Sequence, residues 1–403
     1  MPPDQTLLIP PAARASDGTV TAAVVNSRRH RTLIPHEPWV LETVRVVDQL
    51  VALSVPIRFS FGVLSHDVAA WRIWQRGGRG IVHAVTGLPS WQRRYGWLID
   101  APHVRWEWLP PAPRQLAGVA RDAAIISQAD VVCAVRGRLG GNMVRLCQEK
   151  LFAGGIVRIC AFDGEWDRAW APLLECGAAI VEMGPARSNS DLPKIVESES
   201  SPVPLRWQNV PVNKYLFHFT RQCPGPWPGQ DLPAYFSSIA AGAAGSGHTA
   251  FDSLRRILGE RRIRGAGRLI RGTVPAVCLT AASPEVILKL VRWQPHLIRW
   301  RFQPYAIGFD RLYAQNKGAE PVIYGPARLV TALSADRQFL FQPSGADQPD
   351  WSIEQEWRVK GDIDFSDASP DEIMVLAPTI DEAAAMIGEF GVAAAVLTQK
   401  TGE

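Results

Sequence analysis

From about Arg31 to Met183, short apolar runs alternate with stretches of helical period, and this alternation restricts the fold more than any other feature of the chain. Behind Pro38, Val40, Val44, Val47 and Val51 recur at helical spacing. Residues 57–64 then read as a strand, 66–75 as a helix and 81–85 as a strand. The pattern repeats: Leu116, Val119, Ala123 and Ile126 mark a helix, 130–135 a buried strand, 142–152 a helix, and 156–162 and 178–183 further strands. Strands that alternate with helices are joined by crossovers, so they predict a parallel sheet of the doubly wound, Rossmann-like α/β kind. Its expected extent is 20–185.

A chain of 403 residues is long for one core and fits two domains. Residues 186–204 are polar, carry three prolines and lack periodicity, which places a linker at 186–205 and a second domain at 206–403. There the grammar changes. A strand at 214–220 precedes a Pro/Gly-rich loop at 222–233, a helix at 249–258 and a buried strand at 276–280. Ser283 caps a helix with Pro284 at its first position, and strands at 305–310, 321–324, 355–359, 372–376 and 394–398 complete an α+β domain.

Six cysteines without a Cys-x-x-Cys or Cys/His pairing indicate neither a zinc site nor a disulfide framework, and no metal is expected. His36, His66, His83, His103 and His296 also lack metal-ligand spacing. No apolar run reaches membrane-spanning length and the first residues lack a signal-peptide pattern, so the expectation is a cytoplasmic protein with no membrane partner. A net charge of +4 does not by itself imply nucleic-acid binding. Arg255, Arg256, Arg261, Arg262, Arg264, Arg268 and Arg271 are a local cluster, which reads equally as a phosphate-meeting surface or a solvated helix face.

Two features carry chemistry. Between a strand and the next helix, Arg136-Gly137-Arg138-Leu139-Gly140-Gly141-Asn142 offers glycines for close backbone approach, free helix amides and two arginines for a phosphate. The third glycine of the dinucleotide fingerprint is missing, and a turn without ligand is the plain alternative. Near the other end, Trp351 to Val359 reads as an aromatic-rich strand with Glu354 and Glu356 on one face. Paired acids suit hydroxyl binding or stabilisation of positive charge, and a wet edge strand is their plain alternative.

Arg121-Asp122, Ala129-Asp130 and Gly140-Gly141 together resemble the nucleotide-binding group of Rossmann-like folds that includes the DprA, LOG and SLOG families. The resemblance implies a nucleotide ligand at Arg136, Arg138, Gly140, Gly141 and Asn142. The Pro-Gly-Gly-x-Gly-Thr turn of the LOG enzymes is absent, which argues against phosphoribohydrolase activity.

In the second half, His218-Phe219-Thr220-Arg221, Arg271-Gly272, the run from Arg299 to Phe309, Pro321 to Tyr324 and Glu354-Gln355-Glu356-Trp357-Arg358 follow in order. This order resembles bacterial proteins with an ADP-ribosyltransferase-like fold, including DarT-type enzymes and abortive-infection-associated relatives. The resemblance implies NAD as substrate, with Glu356, Glu354 and His218 as catalytic candidates and Thr220, Arg221, Arg271 and Tyr305 as NAD-binding ones. The arginine that DarT-type enzymes use for base activation has no identifiable equivalent here, which leaves a DNA-base target in doubt. The implied protein is an NAD-consuming ADP-ribosyltransferase or NAD glycohydrolase, of the kind found in bacterial stress or phage defence, regulated by a nucleotide at its first domain. The acceptor, protein or nucleic acid, is not specified. The competing class is a non-catalytic protein that holds nucleotide or nucleic acid through the arginine cluster and exposed tryptophans.

Overall fold

The computed structural model describes residues 8–14, 19–27, 32–85, 90–110, 117–184, 203–243, 245–267, 270, 274–294, 299–344 and 351–397. The chain divides into two compact units: unit 1 is Met1–Pro193 with Pro224–Gly247, and unit 2 is Lys194–Cys223 with His248–Glu403.

Unit 1 is built on seven strands: β1 (Ala22–Asn26), β2 (Ile57–Phe59), β3 (Gly80–Val85), β4 (Val104–Leu109), β5 (Val131–Arg136), β6 (Ile156–Ala161) and β7 (Ala179–Glu182). Every neighbour pairs parallel, in the order β4-β3-β2-β1-β5-β6-β7. Helices α2 (Pro38–Ala52), α3 (Leu64–Gln75), α4 (Ser90–Ile99), α5 (Ala117–Gln128), α6 (Asn142–Phe152) and α7 (Ala171–Glu175) alternate with them, behind a short α1 (Pro11–Arg14). A sheet covered on both faces needs apolar side chains on both, and the first five residues of β5 are accordingly all buried. One core holds Val24, Leu50, Phe59 and Trp71, and another holds Ala23, Ile126, Val132 and Trp170. The parallel sheet predicted from the alternation is present. Its central strand β1 and its edge strand β4 are additions to the elements that periodicity identified.

Helix α8 (Leu232–Ala241) also belongs to unit 1, although it follows the expected linker by more than twenty-five residues in the chain. Its Leu232, Tyr235, Phe236 and Ile239 join the core that contains Trp71, with the Phe236 ring 5.8 Å from the Trp71 ring. Most of the linker itself lies outside the described residues.

In unit 2 the strands are β8 (Leu205–Arg206), β9 (Tyr215–Phe219), β10 (Arg262–Ile263), β11 (Ala276–Thr280), β12 (Trp293–Gln294), β13 (Arg299–Trp300), β14 (Ala306–Asp310), β15 (Glu320–Pro321), β16 (Ile323–Gly325), β17 (Phe341–Pro343), β18 (Glu356–Lys360), β19 (Ile363–Asp364), β20 (Ile373–Ala377) and β21 (Ala393–Val396). Eight of them form one mixed sheet in the order β15-β18-β11-β9-β14-β20-β21-β8. Helices α9 (Ala250–Glu260), α10 (Pro284–Leu290), α11 (Arg311–Asn316) and α12 (Ile380–Phe390) accompany it. Helix α9 starts where its sequence dictates. Thr249 and Asp252 form a reciprocal capping box that satisfies two otherwise orphaned amides. Leu254 and Leu258 of α9 then pack with Leu216, Ile307 and Val375 from three strands of the sheet.

One expectation is corrected here. Trp351 to Val359 is not a continuous strand, because Ser352–Glu354 is a 3-10 turn and Gln355 takes a left-handed conformation (φ 42°) before β18 begins at Glu356. Glu354 and Glu356 are therefore not alternate residues on one strand face. A left-handed non-glycine residue is uncommon and costs of order 1 kcal/mol, so the surrounding contacts must hold it. They do: Gln355 donates its amide to the Ser352 carbonyl at 3.0 Å, and its own carbonyl accepts from the Ala281 amide at 3.0 Å.

Candidate functional site

Unit 2 carries a pocket of about 690 Å³ on the β9-β11-β18 part of the sheet, lined among others by His218, Arg221, Cys278, Glu354, Glu356 and Arg358. Sheet register explains how distant segments meet there. β11 and β18 are antiparallel, with Thr280 opposite Glu356 and Cys278 opposite Arg358, so these side chains emerge beside one another on one face. On the other side of β11 lies β9, which carries His218.

Glu356 is held by both carboxylate oxygens: Arg358 donates Nε to Oε1 and Nη2 to Oε2, each at 2.9 Å. A residue and its second neighbour along a strand share a face, so the pair is a direct product of strand periodicity. Glu354 reaches the same pocket from the 3-10 turn, where the Arg301 Nε donates to its Oε1 at 2.9 Å. Burial raises the Glu354 carboxyl above its usual range and the nearby Glu356 adds to the rise, while Arg301 opposes it.

The His218 Nδ1 lies 2.9 Å from the Cys278 carbonyl oxygen. A carbonyl can only accept, so Nδ1 carries the proton of the neutral ring and Nε2 carries the lone pair. Burial lowers the His218 pKa, the neighbouring Arg221 lowers it further, and the bond to Cys278 opposes them. The imidazole is thus a neutral acceptor near pH 7. Cys278 opens onto the pocket, yet burial and the adjacent Glu356 carboxylate push its thiol up to about 12, so it stays protonated and unreactive. Phe219 and Phe302 stack at 4.5 Å in the pocket wall, and Trp351 also lines it with Arg301 over its ring at 5.4 Å.

Of the candidates from the second half, Glu354, Glu356, His218 and Arg221 come together in this pocket. Thr220 does not belong to its wall: the side chain is buried and its hydroxyl donates to the Ala250 carbonyl at 3.1 Å. Nor does Tyr305, whose hydroxyl donates to Glu382 at 2.8 Å and whose ring sits 5.9 Å from that of Phe251. Arg271 lies outside the described residues. Cys278, Thr280 and Gln342 are pocket residues that the sequence reading did not select as a site, and Arg264 enters the lining from the arginine cluster. Period-2 alternation along β11 was the signal that could have paired Cys278 with Thr280.

In unit 1 the glycine turn sits at the C-terminal end of β5, beside the point where strand order reverses between β1 and β5. Such crevices are where open α/β sheets bind ligands. Gly140 needs its freedom because φ is +66°, and a Cβ on Gly141 would meet the Arg138 carbonyl at 2.7 Å. The turn closes by a Gly141 amide to Arg138 carbonyl bond of 2.8 Å. Arg136 does not point a spare charge at the turn: its guanidinium grips the buried Glu42 of α2 with both Nε and Nη2. Asn142 accepts from Arg145 at 2.7 Å, and Arg138 is exposed.

Among the described residues no group of three or more His, Cys, Asp or Glu is placed to hold a metal, and no helix is long and apolar enough to cross a membrane.

No family model matches the chain, and no curated protein matches it. Among solved structures it is similar to DNA processing protein A from Streptococcus pneumoniae at 18% identity over 40% of this chain, with a TM-score of 0.32. The chain spans 58% of the length of that protein. It is also similar to the DNA processing protein A of Helicobacter pylori, described for its single-stranded DNA binding, at 14% identity over 41% of this chain and 76% of that one, with a TM-score of 0.32. A third likeness is to the molybdenum cofactor carrier protein of Chlamydomonas reinhardtii, at 13% identity over 40% of this chain and 89% of that one, with a TM-score of 0.28.

Proposed function

We propose that unit 2 cleaves the nicotinamide glycosidic bond of NAD and passes the ADP-ribose to water or to an acceptor, and that unit 1 binds a nucleotide at its glycine turn. The observation that carries the reading is the convergence of His218, Arg221, Glu354 and Glu356 on one pocket from two stretches of sequence more than 130 residues apart.

The reaction asks for what these groups supply. As the C1′–N bond breaks, its electron pair goes to the pyridinium nitrogen and leaves positive charge on the ribose. A fixed carboxylate nearby stabilises that charge in the transition state more than in the ground state. Glu356, oriented by Arg358, has that role. The neutral His218 accepts from a ribose hydroxyl through Nε2. Water or an acceptor hydroxyl then bonds to C1′ and loses its proton, and Glu354, whose proton affinity is raised, is the group suited to take it. Arg221 and Arg264 stand in the lining apart from the Arg358–Glu356 pair and bring positive charge toward a diphosphate. The stacked Phe219–Phe302 pair offers an apolar surface for a flat ring.

The test is nicotinamide release from NAD by the purified protein, with mass spectrometry of the sugar product in the presence and absence of cell extract. Free ADP-ribose identifies a glycohydrolase, and a mass increase on a macromolecule identifies a transferase. Folded protein that releases no nicotinamide under either condition overturns the reading.

A further inference from the structure

Arg358 is almost wholly buried, at 3% exposure, and the structure gives each of its five N–H donors an acceptor. Nε and one Nη2 hydrogen go to Glu356, the other Nη2 hydrogen goes to Gln342 Oε1 at 3.1 Å, and Nη1 donates to the carbonyls of Phe339 at 2.6 Å and Phe341 at 3.4 Å. A guanidinium with all its donors engaged has no capacity left for a substrate phosphate. It is instead a rigid link between the segment that ends in β17 and the first residue of β18. Glu356 itself is held through both carboxylate oxygens, and its backbone is fixed in turn by the bond that its amide donates to the Tyr324 hydroxyl at 3.1 Å.

We infer that Arg358 is a positioning residue: it clamps the Glu356 carboxylate at a fixed place and angle in the pocket by anchoring it to Phe339, Phe341 and Gln342, without touching substrate. This rests on the reading of unit 2 as an NAD-cleaving site. A carboxylate that must meet charge developing at one atom loses effect when displaced by about 1 Å, by a factor on the order of 100. Lysine at 358 keeps the positive charge but has neither the fork nor the reach to make both bonds to Glu356 and the three to β17 and its approach. The other charged and titratable groups about Glu356 are Cys278 on β11, His218 on β9, Glu354 on the preceding turn, Tyr324 on β16, and the pocket arginines Arg221 and Arg264.

The experiment uses the full chain and two variants, Arg358→Lys and Gln342→Ala, each compared by thermal melting to establish the folded fraction. On folded protein we expect kcat for nicotinamide release to fall about 10–100-fold in Arg358→Lys, with KM for NAD within about 3-fold. Gln342→Ala, which removes one anchor and leaves the Glu356 pair, should lose less than Arg358→Lys. A structural arginine would lower the melting temperature and leave kcat per folded molecule unchanged, and that result overturns the inference. A wild-type protein without turnover would instead sink the NAD reading. The clamp is then judged by carbon-13 relaxation of the Glu356 side chain, assigned with Glu356→Gln: a carboxylate more mobile in Arg358→Lys than in wild type sustains the clamp, and equal mobility overturns it.

Discussion

The two units spend similar residues in opposite ways. In unit 1, Arg136 beside a glycine turn looks like a phosphate ligand, yet its charge is committed to Glu42, which is 4% exposed and otherwise would be buried without a counter-charge. In unit 2, Glu356 and Arg358 also form a two-pronged pair, but the pair stands in the wall of a pocket with a second acid, a neutral histidine and two further arginines around it. An arginine–carboxylate pair is therefore not informative by itself. What distinguishes a site is whether further polar groups converge on the same concave surface.

Four substitutions break or sharpen that contrast. The largest effect is expected for Glu356→Gln, which should lower nicotinamide release per folded molecule by about 100-fold or more, since it removes the charge that faces the developing cation. It should also destabilise unit 2, because the buried Arg358 loses its counter-charge. Next is Arg136→Ala in unit 1. Stranding the buried Glu42 should cost about 3–5 kcal/mol of stability, read by denaturant titration, and a loss below about 1 kcal/mol would mean that the pair is not structural.

Third is Asp67→Asn. Burial raises the Asp67 carboxyl to about 6, despite bonds from the Gly62 amide and the Tyr95 hydroxyl and despite Arg94 and Arg121. Between pH 4 and 6 the folded state holds a proton that the unfolded state has released, so stability falls as pH rises through that window. Asparagine removes the titration and can keep both hydrogen bonds. The gain should be up to about 3 kcal/mol at pH 7 and vanish below pH 4, as followed by melting temperature against pH. His218 in unit 2 behaves oppositely. Its lowered pKa means that stability is lost as pH falls below about 6.5, the ordinary histidine value.

The smallest effect is expected for Tyr305→Phe. Its hydroxyl bonds Glu382 outside the pocket wall, so the change should cost about 1 kcal/mol and leave NAD turnover within about 2-fold. A large loss of turnover at unchanged stability would return Tyr305 to the site.

How much of this the sequence revealed follows from the range of the signal. The helix over Asn142–Phe152 and the strand over Ala276–Thr280 were legible to the residue, because apolar periodicity and flanking glycine, alanine or proline are local. β1 was missed although it is central, since Ala22 and Ala23 are too small to stand out as an apolar run. Helix α8 was obscured by the Pro/Gly-rich stretch before it, and only its packing on Trp71 shows where it belongs. The pocket acids were legible as a pair, but their geometry was not. A strand reading cannot foresee that Gln355 turns left-handed, because that conformation is held by the Ser352 and Ala281 backbone groups. Arg358 was visible two residues from Glu356, whereas its anchors at Phe339, Phe341 and Gln342 are joined to it by tertiary structure alone.

The most direct test is nicotinamide release from NAD by wild-type protein, Glu356→Gln and Asp67→Asn side by side at pH 7.5, with each rate normalised to folded protein. The account predicts release by wild type, its loss in Glu356→Gln, and an undiminished rate in Asp67→Asn. Equal release by wild type and Glu356→Gln would contradict the assignment of the site to the unit 2 pocket.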